Sequence, residues 1–317
     1  MSRTVVLSCS GGKDSAAAGL YLKEQGIGFE AIFCDTGWEH QETYRYLREV
    51  LPVHLGPIRW LRATVRWQET VRTATGKSSE QAEELAARLE TYAQEFEARL
   101  GVEYSAFVRL ILKKAGFPSR VQRWCTTSLK RDPACQYLST LGNPVNVVGI
   151  RAEESQSRAQ MPEWEYSAGM DCEVWRPIIQ WKLGDVIAIH KRHNLAPNPL
   201  YLRNATRVGC YPCIMSRKSE IGALDPTRVG VIADLERVVA ELHEARIRRR
   251  GEEPERRSPT LFQAQTPGAD GGWAIPIDEV MAWAKTAHGG RQYELFAAAP
   301  RDAGCMRWGL CDTGGGS

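Results

Sequence analysis

One feature of the sequence most constrains how this chain folds. It is an apolar run that is followed at once by a loop of small residues and then by a helix-forming run. Residues 4–9 read Thr-Val-Val-Leu-Ser-Cys, residues 10–15 read Ser-Gly-Gly-Lys-Asp-Ser, and residues 16–22 are rich in Ala and Leu. This order predicts a buried strand, a tight loop and a helix. Two adjacent glycines let a ligand approach the backbone closely, and the loop amides and the helix N-terminus then converge on one anion site.

The residue types in this loop suit a phosphate ligand. Lys13 supplies a mobile positive charge, and the serines supply hydroxyl donors. Asp14 would repel a bare phosphate, so we expect it either to bind Mg²⁺ or to position Lys13. The pattern differs from the Walker loop, which has four residues between its first glycine and a Gly-Lys pair. The predicted phosphate-binding residues of the loop are Ser8, Ser10, Gly11, Gly12, Lys13, Asp14 and Ser15.

Composition limits the class of protein. A 317-residue chain with 43% hydrophobic and 25% charged residues is typical of a soluble globular protein of one large domain or two. The formal net charge of +3 is too small to imply a nucleic-acid partner by itself. No membrane span or signal peptide is recognisable, so we expect no membrane association and a cytoplasmic location. Nine cysteines in that setting favour metal binding or thiol chemistry over disulfides.

Strand and helix patterns alternate from Thr4 to about His193, which predicts an α/β fold with a doubly wound parallel sheet. Two further strands end in charged residues, residues 28–34 before Asp35 and residues 144–150 before Arg151. Such residues lie on the ligand-binding edge of an open parallel sheet. We therefore expect Asp35 to hold Mg²⁺ or a ribose hydroxyl, and Arg151 and Arg158 to grip phosphate oxygens.

Two regions depart from this alternation. Residues 78–116 have helical periodicity and predict a helical insertion beside the sheet, with Ser78 and Gln81 at capping-box spacing. Residues 216–317 predict a helical C-terminal region with a cysteine-containing tail. The predicted division is a nucleotide-binding domain over residues 1–215 and this C-terminal region.

The cysteines fall into two groups. Cys210 and Cys213 have the spacing that lets two thiolates reach one metal, and Cys125 and the tail cysteines, Cys305 and Cys311, could complete a tetrahedral thiolate site. Both zinc and a [4Fe–4S] cluster fit four thiolates. The other cysteines lack a partner at suitable spacing, so we expect Cys9 and Cys34 in the core and Cys135 and Cys172 to be inert.

These motifs together resemble the phosphoadenosine phosphosulfate (PAPS) reductase family of the PP-loop ATP pyrophosphatases. The resemblance covers about residues 1–220 and is carried by the following segments: residues 10–15, Asp35-Thr36-Gly37-Trp38 with Glu42-Thr43, residues 149–155 with Arg158, and Trp175-Arg176-Pro177-Ile178. It implies an adenine nucleotide alpha hydrolase-like fold, bound ATP and Mg²⁺, and catalytic roles for Lys13, Asp14, Asp35 and Arg151. Some family members carry a [4Fe–4S] cluster, which favours iron–sulfur over zinc here, with Cys125, Cys210, Cys213 and either Cys305 or Cys311 as ligands.

The resemblance implies an enzyme that transfers AMP from ATP to an acceptor, releases pyrophosphate and supports sulfur transfer, as in nucleic-acid thiolation or DNA phosphorothioation. A nucleic-acid acceptor and a cysteine desulfurase as sulfur donor are the implied partners, and the oligomeric state is left open. One alternative is a PAPS or adenylylsulfate reductase. The family's reductases replace the Lys13 loop and carry a Glu-Cys-Gly tail, whereas this chain has Gly304-Cys305-Met306. Another alternative is a nucleotide-binding regulatory subunit without turnover.

Overall fold

A six-stranded sheet lies at the centre of the fold. The computed structural model describes residues 3–67, 79–203, 205–249, 251, 258–263 and 274–286. The strands are β1 (Thr4–Ser8), β2 (Glu30–Asp35), β3 (Ile58–Arg62), β4 (Pro144–Val148), β5 (Trp164–Ser167), β6 (Cys172–Trp175), β7 (Phe262–Gln263) and β8 (Ala274–Ile275). The central sheet has the order β3-β2-β1-β4-β6-β5, and β7 pairs with β8 separately.

Helices connect these strands. The α-helices are α1 (Lys13–Glu24), α2 (Gln41–Arg45), α3 (Leu51–Leu55), α4 (Ser79–Leu100), α5 (Ala106–Lys114), α6 (Trp124–Thr126), α7 (Asp132–Leu138), α8 (Gln156–Ala159), α9 (Leu183–Arg192), α10 (Pro199–Leu202), α11 (Lys218–Gly222), α12 (Pro226–Arg249) and α13 (Ile277–Ala284). Single π-helical turns at Tyr46–Val50 and Thr127–Arg131 join α2 to α3 and α6 to α7, and Ala152–Glu154 is a 3₁₀ turn. The predicted cap Ser78 lies outside the described residues.

The sheet confirms the α/β class predicted from the sequence. Strands β3, β2, β1, β4 and β6 are parallel, so the ends of β1, β2 and β4 open onto one edge. Ser8 lies beside Val148 at this edge, and Asp35 pairs with Arg62 in the register of β2 and β3. The pattern did not predict β5, a four-residue edge strand that runs antiparallel to β6.

Both faces of the sheet are covered by apolar side chains. On one face Leu7 and Val147 pack with Leu20 of α1 and Ile189 of α9. On the other face Val6 and Ile32 pack with Leu138 of α7 and with Cys172. Burial on both faces explains why the central strands read as nearly continuous apolar runs.

The helical insertion and the C-terminal region share a third apolar cluster. It joins Leu89 of α4 and Ile111 of α5 to Val231 and Leu235 of α12. The loop after β2 is pressed against the start of α5, because a Cβ on Gly37 would lie 2.3 Å from the Cα of Ser105. Gly37 has a φ of +69°, so the position requires glycine for both space and conformation.

A buried ion network fixes the insertion. Arg109 on α5 is 7% exposed, and its guanidinium donates to Glu97 at 2.7 Å and to Glu90 at 2.7 and 2.8 Å. Glu97 also accepts the backbone N–H of Ser105, which caps α5. Since every charge in the network is paired, the arginine is held in the core without an isolated buried charge.

No helix among the described residues is long and apolar enough to span a membrane.

A buried carboxylate joins α12 to the segments that follow it. Glu236 is 8% exposed and accepts the backbone N–H groups of Leu261 at 3.1 Å and Ile277 at 3.0 Å. Burial raises the pKa of Glu236 to about 7, and Asp278 adds to the rise, whereas the two N–H groups oppose it. The folded protein therefore binds a proton at pH values where an unfolded chain has already lost it.

We expect ionisation of Glu236 to lower the stability of the protein as the pH rises from about 5 to about 7. Above that range this group should add no further pH dependence. Glu236→Gln keeps an acceptor oxygen and removes the ionisation, so its urea midpoint should vary less with pH over this interval. Glu241→Gln, at an exposed position on the same helix, is the control. A Glu236→Gln midpoint that tracks pH as steeply as the unaltered protein would contradict this assignment.

Candidate functional site

The loop between β1 and α1 is packed closely against its neighbours. Gly11 has a φ of +73°, and a Cβ there would lie 2.9 Å from the side chain of Thr43. Ser15 donates to the carbonyl of Gly12 at 3.0 Å, and its hydroxyl accepts the N–H of Ser10 at 3.2 Å. The loop therefore has the strand–loop–helix geometry predicted from the sequence.

A row of charged side chains lies at the start of α1. Lys13 Nζ lies 3.1 Å from Asp14 Oδ2, and Arg151 Nε donates to Asp14 Oδ1 at 2.5 Å. Lys13, Asp14 and Arg151 are 9%, 8% and 3% exposed. Burial acts to lower the pKa of Arg151, but the carboxylates of Asp14 and Glu153 outweigh it and raise the pKa. Asp14 thus lies between two buried cations.

Close packing at the end of β4 brings Arg151 to this row. A Cβ on Gly149 would lie 2.3 Å from the carbonyl oxygen of Asp14, so only glycine lets the strand end approach α1 this closely. Arg158, the other predicted phosphate ligand, is paired with Glu154 and is one-third exposed. Ser8 donates to Asn146 on β4 at 2.8 Å, so its hydroxyl faces the neighbouring strand.

Three buried side chains hold the main chain of the loop: one from α9, one from the residue that caps α10 and one from α10. The sequence reasoning did not single them out. Asn198 donates to the carbonyl of Gly11 at 3.3 Å. The Tyr201 hydroxyl accepts the N–H of Lys13 at 3.2 Å, and His190 Nε2 lies 2.9 Å from the carbonyl of Lys13. The Tyr201 ring also lies 4.9 Å from Lys13 Nζ. We call these three residues the loop clamp.

The protonation of the His190 ring determines which of its nitrogens donates a hydrogen bond in the clamp. Its side chain is fully buried, and burial lowers its pKa, so the ring is neutral near pH 7 and carries one N–H. Since Nε2 faces a carbonyl oxygen at 2.9 Å and Nδ1 lies 3.3 Å from that of Leu195, the shorter contact assigns the proton to Nε2. The Asn-Pro-Leu-Tyr turn at residues 198–201 is the sequence signal that could have drawn attention to the clamp.

Asp35 lies in a buried network at the end of β2. Arg62 Nη2 donates to Asp35 Oδ2 at 2.6 Å, and the N–H of Gly37 donates to Oδ1 at 2.9 Å. The Tyr44 hydroxyl lies 3.1 Å from Asp35 Oδ1 and 2.9 Å from Glu39 Oε2. Burial, followed by the two carboxylates, raises the pKa of Tyr44, which keeps it protonated as a donor. The sequence pointed to Asp35 but not to its partners Arg62 and Tyr44.

The Cys210–Cys213 segment is joined to the loop after β2. Glu39 and Cys210 form an isolated β-bridge, the N–H of Tyr211 donates to the carbonyl of Trp38 at 2.9 Å, and Trp38 Nε1 donates to the carbonyl of Pro212 at 3.1 Å. These bonds place the two cysteines beside the network around Asp35.

Cys125, Cys210 and Cys213 pack against one apolar cluster. Burial raises the pKa of Cys125 and raises that of Cys210 to about 11, and the Cys213 thiol contributes to both rises. Lys130 opposes the rise at Cys210, and the Cys210 thiolate is the largest cause of a raised pKa at Lys130. Three thiols are donors that can bind a metal or a cluster as thiolates. The lysine beside them supplies a positive charge that offsets the negative charge of such a group.

The four-thiolate site remains a prediction. Cys305 and Cys311 lie outside the described residues, and within the described part no three or more His, Cys, Asp or Glu side chains have the arrangement of a metal site. Cys9 is buried, as expected, whereas Cys34 is partly exposed and lies 3.2 Å from the carbonyl of Lys130. Cys135 Sγ lies 3.6 Å from the carbonyl of Gly169.

The clamp can be tested without a ligand. His190→Leu removes the side-chain hydrogen bond to the carbonyl of Lys13, so we expect a loss of about 0.5–1.5 kcal/mol in stability. Amide hydrogen exchange of residues 9–15 should accelerate as well. His190→Gln offers an amide donor and should restore part of both effects. Equal exchange in the Leu and Gln variants would show that the ring acts only by filling space.

Comparison with known proteins assigns the family. Residues 4–54 and 62–216 match the model of the phosphoadenosine phosphosulfate reductase domain. An uncharacterized 37.8 kDa protein of Escherichia phage 186 is 33% identical over 97% of this chain and 96% of its own length. An adenosine 5'-phosphosulfate reductase of Allochromatium vinosum is 33% identical, over 28% of this chain and 34% of that protein. This chain therefore covers about a third of the length of that reductase.

Among solved structures, a PAPS reductase from Candida auris in complex with phosphate has a TM-score of 0.43 and 15% identity, over 66% of this chain and 82% of that one. The family assignment rests on the domain match, which spans most of the residues from β1 to the Cys210–Cys213 segment. The chain belongs to the phosphoadenosine phosphosulfate reductase domain family.

Proposed function

We propose that the chain is an ATP pyrophosphatase that adenylates an acceptor oxygen and so prepares it for replacement by sulfur. The observation that carries this proposal is the buried row of Lys13, Asp14 and Arg151 beside the loop. In this row two cations share a single central carboxylate. A phosphate chain with several negative charges complements such a pair of cations better than a neutral substrate does.

The reaction follows from that arrangement. The acceptor oxygen attacks the α-phosphorus of ATP, the bond from the α-phosphorus to the bridging oxygen breaks, and pyrophosphate leaves with the electron pair. Lys13 and Arg151 offset the charge that develops on the phosphate oxygens, and the clamped loop amides hold the chain in line. Mg²⁺, when bound, would neutralise further phosphate charge, and Asp14 and Asp35 are the carboxylates that could hold it.

Sulfur transfer completes the proposed sequence. A sulfur nucleophile at the oxidation level of hydrosulfide attacks the adenylated centre, the bond to the activated oxygen breaks, and AMP leaves with that oxygen. Cys125, Cys210 and Cys213 would hold a [4Fe–4S] cluster, with Cys305 or Cys311 as fourth ligand. When bound, the cluster would supply a redox-active, sulfur-binding centre. A nucleic acid as acceptor and a cysteine desulfurase as sulfur source are parts of the same proposal. The desulfurase would deliver persulfide sulfur, and two electrons from a thiol reductant, which becomes a disulfide, would release that sulfur as hydrosulfide.

Reduction of an adenylyl sulfate is the second candidate, and the match to adenosine 5'-phosphosulfate reductases favours it. Such an enzyme would release sulfite from its substrate and would not depend on ATP. Thermal shift with ATP–Mg²⁺ and with PAPS separates the two, because a ligand that binds only the folded state stabilises it. Strong protection by PAPS without protection by ATP, together with sulfite release, would replace our proposal with the reductase.

Lys13→Ala tests the proposed chemistry directly. Loss of a preorganised cation at the reacting phosphates should lower pyrophosphate release from ATP by about a hundredfold or more. The matched control is Lys23→Ala, since Lys23 lies on the same helix and its ammonium donates to the carbonyl of His54. Far-UV circular dichroism checks that both variants fold. Unchanged pyrophosphate release by Lys13→Ala would refute the proposed role of the loop.

The thiols are tested by comparing two serine variants after anaerobic purification. Cys210→Ser should lose iron and visible absorption and should unfold at a lower temperature, because ligation contributes to folding. Cys135→Ser should retain both properties, since Cys135 Sγ faces the carbonyl of Gly169 and Cys135 is not in the apolar cluster that contains Cys210. Equal iron content in the two variants would exclude Cys210 as a ligand. Zinc in place of iron would keep the ligands and remove the redox role.

A further inference from the structure

A long segment before α7 carries positive charge without any negative charge. Residues 104–131 contain seven Lys and Arg residues and no Asp or Glu, although the whole chain has a net charge of only +3. Arg109 is occupied by its buried ion network, and Lys130 lies beside Cys210. Arg131 pairs with Asp132. The cations of this segment that are available to a partner are therefore Lys113, Lys114, Arg120 and Arg123.

One of these cations lies over an aromatic side chain, and a cation from another helix bonds to the backbone of that cationic residue. Lys114 Nζ lies 5.5 Å from the ring centre of Trp124, and Arg246 of α12 donates to the carbonyl of Lys114 at 3.1 Å. A turn in which the N–H of Gln122 donates to Ser119 carries Arg120 at its tip and leads to Arg123. We define the basic surface as Lys114, Arg120, Arg123, Arg246 and Trp124.

The cations of the basic surface are exposed, and none of them forms an ion pair with a carboxylate in the described part of the chain. Several exposed arginines on other faces differ from them in having carboxylate partners. Arg59 pairs with Glu30, Arg192 with Glu24, and Arg237 with Glu241. Unpaired cations grouped on one face form the electrostatic footprint expected for a polyanion.

An open cavity of about 580 Å³ lies within this surface. Arg123 and Trp124 line it together with the side chains of Gln122, Thr126, Thr127 and Ser128. An aromatic ring offers a stacking platform for a base, the arginine can contact phosphate, and hydroxyl and amide groups can bond to base edges. Trp124 and Thr126 flank Cys125 in the sequence, so the cavity lies along the segment that carries this thiol.

We propose that the basic surface binds single-stranded nucleic acid, with an unpaired base against Trp124 and phosphates on the surrounding cations. A single strand is favoured because its bases can face an aromatic side chain without the free-energy cost of unpairing and unstacking a duplex. This inference rests on the proposed function, for which it names the acceptor class and the place where the acceptor binds.

The experiment measures fluorescence anisotropy of a labelled, mixed-sequence single-stranded DNA of about 16 nucleotides, an RNA of the same sequence and the DNA duplex, over a range of salt concentrations. The full chain should bind the single strands more tightly than the duplex. A triple variant with Lys114→Ala, Arg120→Ala and Arg123→Ala should bind at least about tenfold more weakly, and its salt slope should fall by about 2.

The control is charge-matched. Arg59→Ala, Arg192→Ala and Arg237→Ala remove the same number of exposed cations from other faces and should leave binding within about twofold. Trp124→Leu keeps an apolar side chain but removes the stacking ring, and it should weaken binding by about tenfold with an unchanged salt slope.

Three results would overturn the proposal: equal binding by the two triple variants, preference for the duplex, or equal competition by polyglutamate with no effect of Trp124→Leu. The last result would identify an acidic protein surface as the partner.

The test is independent of ATP chemistry, because Lys13→Ala should still bind the oligonucleotide. Oligonucleotide binding without pyrophosphate release would refute the proposed function alone, and pyrophosphate release without binding would refute the basic surface alone.

Discussion

The main chain of Gly11 and Lys13 is held by side chains from far along the sequence. Asn198, Tyr201 and His190 bond to groups 187, 188 and 177 residues before them. A loop with glycines has high conformational entropy, so its amides converge on one point only if other elements fix it. The clamp supplies this constraint, and the positions of the charged side chains that begin α1 depend on it.

Charge is arranged around that fixed loop in a buried setting. Asp14 bonds to Arg151 and lies beside Lys13, and each of the three is less than a tenth exposed. Electrostatic interactions are stronger there than at the surface, because solvent screens them less. Glu153 is a second partner of Arg151. The two cations of the row are the natural counterions of a phosphate chain.

The edge of the sheet joins three chemical groups in a continuous structure. Asp35 and Glu39 share the hydroxyl of Tyr44, and Glu39 pairs in turn with Cys210. The Cys210–Cys213 segment packs in the same cluster as Cys125, and Cys125 lies in the segment that carries the basic surface. The proposed nucleotide, thiol and acceptor sites therefore follow one another along connected elements.

Local sequence determined the parts of this protein that depend on local backbone preference. The strand and glycine loop before Lys13, the carboxylate at the end of β2 and the α/β class all follow from short patterns of apolar, small and charged residues. The sequence also placed Arg151 at a strand end, because side chains that follow parallel strands meet at one edge.

Only the tertiary structure decided which distant groups meet. Nothing in the sequence around His190 shows that its ring reaches the carbonyl of Lys13, and nothing around Arg62 or Tyr44 shows that they surround Asp35. The antiparallel direction of β5 was likewise not predictable, since a four-residue edge strand has too short a pattern to specify its pairing. These contacts depend on how helices and strands pack in three dimensions, which local residue patterns do not encode.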